Sequence, residues 1–156
     1  MADTQLTDIE LPQPLVLIVD DVPENAQMLY RILGDREYRF AVATNAAETY
    51  RAVEKEIPDL ILLDVMLPDG DGFTVADDLH RRYPEEEIPV IFITALTSIE
   101  DKVKGFSAGG VDYVTKPFHN REVLHRVRTH IELGRLRKRQ ELLIEKLRAT
   151  LQEVRS

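Results

Sequence analysis

The stretch DLILLDVMLPDGDG, residues 59–72, decides the fold. Four of the five residues from Asp59 to Leu63 are apolar, and the run ends on a carboxylate, Asp64. Pro58 closes it ahead; Pro68, Gly70 and Gly72 close it behind. A short apolar run bounded by turn formers reads as a fully buried strand. A charge placed where such a strand stops sits at the rim of a sheet, where water and ligands arrive.

Working outward, the same pattern recurs. Leu15–Val19 is an apolar run ending in Asp20 and Asp21. Pro23 suits the first turn of a helix, where a missing N–H costs nothing, and Gly34 ends that helix. Phe40–Thr44 reads as a second strand, and Asn45 with Glu48 as a capping box for a helix to about Glu56. A helix is predicted from Gly72 to Tyr83, stopped by Pro84. Ile88–Thr94 is a fourth buried strand, Thr97 with Glu100 a second capping box, and Val111–Thr115 a fifth strand running into Lys116 and Pro117. A last helix begins near His119. Five apolar strands alternating with helices predict an α/β fold whose parallel sheet is covered on both faces. Ligands then bind beyond the carboxyl ends of the strands. Four of the five strands deliver a polar group there: Asp20 and Asp21, Asp64, Thr94 and Lys116.

Composition narrows the class. The 156 residues allow one domain with an appendage. Apolar content of 44% beside 31% charged residues is that of an ordinary globular protein. No apolar run is long enough to cross a membrane, the polar N-terminus is no signal peptide, and without cysteine there is no disulfide or thiolate site. A cytoplasmic location is expected. The net charge of −8 is uneven: residues 134–156 hold seven Lys and Arg against three Glu, so the body carries −12. Such a body disfavours general nucleic-acid binding.

Three carboxylates on one rim repel each other, and a hard divalent cation relieves that repulsion. A carboxylate can also accept a phosphoryl group as an aspartyl phosphate. That reaction needs cations and donors around the equatorial oxygens. A metal ion and Lys116 supply the cations, and Thr94 supplies a hydroxyl donor.

With these pieces assembled, the chain resembles the receiver domains of two-component response regulators. The matching residues are the Asp20–Asp21 pair, DVMLPDGDG after the third strand, Thr94 followed by Ala95, and DYVTKPF at 112–118. The resemblance spans roughly residues 14–130. It implies a flavodoxin-like, doubly wound sheet of order 2-1-3-4-5 with five helices. It implies that Asp64 is the phosphoacceptor, and that Mg²⁺ or Mn²⁺ is held by Asp20, Asp21, Asp64 and the Met66 backbone carbonyl. Thr94, Ala95 and Lys116 would bind the phosphoryl group, and Thr94 with Tyr113 would form the switch. A sensor histidine kinase or phosphotransfer protein would be the donor. The chain would catalyse only its own phosphorylation and dephosphorylation. Met66 and Leu96, two residues past Asp64 and Thr94, are apolar and hold no attacking water, so self-dephosphorylation is expected to be slow. Gly110 stands where the family pattern has alanine, which is expected to loosen that turn. His80, His119, His125 and His130 show no ligand spacing and read as surface residues.

Residues 1–13 read as a flexible arm, 14–133 as the receiver and 134–156 as a coiled-coil extension of the last helix. From Asn120 onward only Gly134 interrupts the helix, which at ~1.5 Å per residue would run about 55 Å. Leu133, Leu136, Gln140, Leu143, Leu147, Thr150 and Val154 follow steps of three and four, a coiled-coil seam predicting a homodimer. The run Arg135–Arg139 reads as solvated flank pairing with Glu141 and Glu145. Other readings are a phosphate-independent dimerisation scaffold, the N-terminal receiver of a larger kinase or cyclic-dinucleotide synthase, and a phosphatase with an aspartyl intermediate. The last generally needs an acid where Met66 stands.

Overall fold

A computed structural model of the chain describes residues 9–96 and 98–155. Five parallel strands alternate with five helices. They are β1 (Leu15–Val19), α1 (Pro23–Leu33), β2 (Arg39–Ala43), α2 (Ala46–Lys55), β3 (Leu60–Leu63), α3 (Gly72–Arg82), β4 (Val90–Thr94), α4 (Ile99–Ser107), β5 (Asp112–Thr115) and α5 (Asn120–Arg155). A two-residue antiparallel ladder, Met66–Leu67 against Gly70–Asp71, lies between β3 and α3. The sheet order is β2-β1-β3-β4-β5, as expected.

β1, β3 and β4 are buried along their whole length because helices cover both faces of the sheet. β2 and β5 are the edge strands, and β2 is only partly covered. On one face Leu17, Ile61, Leu63 and Phe92 pack with Val53 of α2 and Phe73, Ala76 and Leu79 of α3. On the other, Val16, Ile18, Leu62 and Ile93 pack with Leu29 of α1 and Val123, Val127 and Ile131 of α5. Alternate residues of each strand feed the two layers, as the two-residue period of a strand requires.

Helix starts follow local chemistry. Pro23 opens α1. The Asn45 side chain caps α2 by accepting from Glu48 N at 2.8 Å. The Glu48 carboxylate reaches back one residue further than a capping box would, to Thr44 N and its hydroxyl. Of the expected Thr97–Glu100 box, Thr97 lies outside the described residues. The observed cap of α4 is Ser98, whose hydroxyl accepts from Asp101 N. One register is shifted, because an acid three residues on suits either serine or threonine.

Two glycines are set by close approach. A Cβ on Gly72 would lie 2.5 Å from the Asp64 carbonyl oxygen and 2.8 Å from Val65 Cα. Gly110 does not loosen its turn: its N–H donates to Gly105 O at 2.9 Å, and a Cβ there would meet Phe92 at 2.5 Å. Alanine has no room beside that ring.

The histidine expectation fails twice. His80 is half-buried, with its ring nitrogens 3.1 Å from Ala108 O and 2.8 Å from Ile88 O. His130 lies 3.2 Å from Asp112, which Arg126 also binds. These contacts join elements distant in sequence, so spacing along one helix could not show them.

The basic run of α5 also departs from expectation. Lys138 binds Asp59 at 2.9 Å, Arg137 pairs with Glu87 and donates to Glu86 O, and Arg135 and Arg139 donate to the carbonyls of Pro12, Leu11 and Ile9. Only Arg137 also approaches Glu141, at 3.7 Å. The run grips the amino-terminal edge of the sheet instead of flanking a seam, because the acidic body offers nearer partners.

Gly72→Ala is expected to destabilise the protein by about 1–3 kcal/mol, since backbone and not a pliable side chain must give way. Urea unfolding measures this.

Candidate functional site

The rim at the carboxyl ends of the strands is held together by backbone hydrogen bonds just beyond the ladder. Asp20 N donates to Ala43 O at 3.1 Å, Asp64 N to Val19 O at 3.0 Å, and Lys116 N to Thr94 O at 2.8 Å. Parallel pairing therefore continues one residue past each strand. The polar residues that end β1, β3 and β5 are kept in line although they are 96 and 52 residues apart from Lys116 in sequence.

Asp20, Asp21 and Asp64 bring carboxylate oxygens within 4.8 Å of one another. Asp20 and Asp64 are buried, and Asp21 is exposed. Each buried carboxylate is fixed on two sides. Asp20 Oδ1 accepts from Val22 N at 2.9 Å and from Asn25 Nδ2 at 3.4 Å. Asp64 Oδ1 accepts from Met66 N at 3.2 Å. The remaining oxygen of each takes a 2.9 Å hydrogen bond from Lys116 Nζ. Burial alone would lower the lysine pKa. The hydrogen bonds and charges of Asp64 and Asp20 outweigh burial and hold it above its ordinary value. Lys116 thus stays a cation across the neutral range. It lies against both carboxylates, which a metal or a phosphoryl group would also engage. Pro117 follows through a cis peptide bond.

An all-oxygen, three-carboxylate cluster suits a hard divalent cation better than a soft one. One ammonium leaves this cluster with excess negative charge, so its donor set fits Mg²⁺ or Mn²⁺.

Thr94 ends β4 and is fully buried. Its hydroxyl accepts from Leu96 N at 3.4 Å. Ala95 beside it is exposed. Tyr113 lies inward, packed against Phe92, and its hydroxyl donates to Leu96 O at 2.8 Å. Burial, with the charges of Asp101 and Asp64, pushes that hydroxyl above its ordinary pKa. The expected switch pair therefore meets at the backbone of Leu96, a residue marked from sequence only for its apolar side chain. Met66 is largely exposed. Of the residues expected to form a dimer seam, Leu133, Leu136, Leu147 and Val154 are exposed on α5, while Leu143 is partly covered.

Sequence reasoning missed two residues around the site. Asn25 steadies Asp20 from the first turn of α1. Asp69 caps α2 from the loop after β3, accepting from Ala46 N at 2.7 Å and Ala47 N at 3.1 Å. Asn25 carried no signal beyond its place after Pro23, and Asp69 passed as one more turn residue.

Comparison with known proteins agrees with this geometry. The model of the response regulator receiver domain family matches residues 16–128. The chain is 42% identical over 115 residues to the DNA-binding dual master transcriptional regulator RpaA of Synechocystis, covering 74% of this chain and 48% of RpaA. It is 40% identical over 117 residues to the probable transcriptional regulatory protein TcrX of Mycobacterium tuberculosis, covering 74% of this chain and 49% of TcrX. The chain thus spans about half the length of these relatives. Its fold matches the signal receiver domain of a putative Luxo repressor protein from Vibrio parahaemolyticus with a TM-score of 0.76 and 26% identity, over 81% of this chain and 95% of that one. With the family model covering most of the chain and the acids, threonine and lysine gathered on one rim, the protein belongs to the receiver domains of two-component response regulators.

Proposed function

We propose that Asp64 accepts a phosphoryl group from a histidine kinase or phosphotransfer protein in a Mg²⁺-dependent reaction. The observation that carries this reading is Lys116, whose ammonium binds Asp20 and Asp64 at once. It brings one cation to the acceptor and to a metal-binding acid together. Asp20, Asp21, Asp64 and the Met66 carbonyl would hold the metal. When bound, the ion neutralises charge on the incoming phosphoryl oxygens. Asp64 Oδ2 acts as the nucleophile once it gives up its hydrogen bond to Lys116: its bond to phosphorus forms as the P–N bond to the donor's histidine breaks, and the imidazole leaves. The ammonium then turns to the phosphoryl group, and the Thr94 hydroxyl and Ala95 backbone approach the remaining oxygens.

Leu96 offers a route outward. If Thr94 turns toward a phosphoryl oxygen it gives up its bond to Leu96 N, and Leu96 O is the acceptor for Tyr113. The Tyr113 ring lies beneath Gly105 of α4, where a Cβ would meet it at 3.2 Å. A change at Thr94 thus reaches α4 through one loop residue. The chain acts as a signalling domain and not as an enzyme with an external substrate, since Met66 supplies no acid beside the acceptor.

The distal part of α5 is the proposed dimer contact. Ile144, Leu147, Leu151 and Val154 are all exposed and follow steps of three, four and three. Leu143 of the expected seam is partly covered, whereas Ile144 and Leu151 beside Leu147 and Val154 are exposed, so these four are the proposed contact.

Acetyl phosphate with Mg²⁺ is expected to add the mass of one phosphoryl group to the wild type and none to Asp64→Asn, read by intact-mass spectrometry. The adduct should persist for minutes or longer after the donor is removed, and loss within seconds would overturn the slow-hydrolysis reading. Asp21→Asn removes one of three mutually repelling charges. Without metal it should melt at or above the wild-type temperature, and it should lose the rise in melting temperature that Mg²⁺ gives the wild type. Light scattering of the full chain should find a dimer that Leu147→Glu converts to a monomer; a monomeric wild type removes the stalk assignment.

A further inference from the structure

Asp69 sits at the tip of the short ladder after Asp64, and its carboxylate turns away from the acids. It accepts from Ala46 N and Ala47 N, the first two N–H groups of α2. Asn45 serves the third, that of Glu48. The open amino end of α2 is therefore closed by two side chains, one local and one from a loop 23 residues on. The hydrogen bonds from Ala46 N and Ala47 N hold the Asp69 pKa below its ordinary value.

Apart from Leu67, which packs partly buried against the core, the loop has few other ties. Its ladder is two residues long, and such a ribbon does not stand alone. Met66 is 64% exposed, so its side chain gives the backbone almost no packing. At its start the loop is tied by Met66 N to Asp64 and by Gly72 N to Val65 O. At its tip, the bonds described that leave the loop run from Asp69 to α2. That helix follows β2, which pairs with β1, the strand that carries Asp20 and Asp21. Asp69 therefore links the peptide at Met66 to the layer that fixes the other acids.

We propose that Asp69 is a positioning residue for the divalent-cation site: seated on the first turn of α2, it fixes the loop that presents the Met66 carbonyl beside Asp20, Asp21 and Asp64. This rests on the metal reading above. Groups that orient ligands without touching the metal typically change affinity by about 10–100-fold.

The test is Mn²⁺ affinity, measured on the full chain from the electron paramagnetic resonance of free Mn²⁺, with thermal melts of the same samples. Asp69→Ala should weaken binding about tenfold. Asp69→Asn keeps one carbonyl acceptor and should fall between. Asn45→Ala removes the other cap of the same helix, so it should lower the melting temperature while leaving Mn²⁺ affinity unchanged. Wild-type affinity in Asp69→Ala overturns the proposal, as does equal weakening in Asn45→Ala, which would make the effect one of helix stability. If Asp69→Ala does not fold, Asp69→Asn decides by the same comparison. A wild type that binds no Mn²⁺ overturns the metal reading and the proposal with it, whereas binding that ignores Asp69 overturns the proposal alone.

Discussion

One ammonium holds the rim together. Lys116 donates to a carboxylate from β1 and to another from β3, and its own backbone is tied to β4. Two buried carboxylates at this separation are tolerable only because a cation lies between them. Every other feature of the site follows from that need. The lysine must come from β5 at the level where β1 and β3 end, which demands parallel strands in register. Parallel strands demand crossover helices, and the helices demand apolar faces on both sides of the sheet. The chemistry at the rim and the hydrophobic layers beneath it are one constraint seen at two depths.

Charge crowding at the rim bears on the proposed phosphoryl transfer. On the proposed reading Lys116 exchanges its bond to Asp64 for one to the phosphoryl oxygens, so the ammonium keeps a charged partner throughout. Thr94 and Tyr113 share Leu96 as a backbone partner. The two residues of the proposed switch thus meet at a loop residue and not within the sheet. Loops hold few buried apolar contacts and move at less cost than strands.

At the opposite end of the sheet the arrangement is static. Asp59 closes the base of β3 by accepting from Leu15 N and Lys138, and Arg137 spans to Glu87 and Glu86. Helix α5 leaves the body from a clasp of charged and hydrogen-bonded contacts and not from a free joint.

Much of this was legible in the residues. Apolar runs specified all five strands to within two residues, and in β1, β3 and β4 burial on both faces kept the interior of the run apolar. The acids, Thr94 and Lys116 were legible because each ends such a run. What stayed hidden was long-range and polar. Asp69 on α2, Lys138 on Asp59, His80 between two carbonyls and Gly110 against Phe92 depend on which segments become neighbours. Hydrogen bonds between distant segments leave no period in the chain. The sequence by itself determined the alternation, the layers and the cast of the site, since those follow from hydrophobic pattern and turn chemistry. Only the tertiary structure decided which polar groups meet, because a hydrogen bond reaches about 3 Å and nothing in one dimension measures that distance.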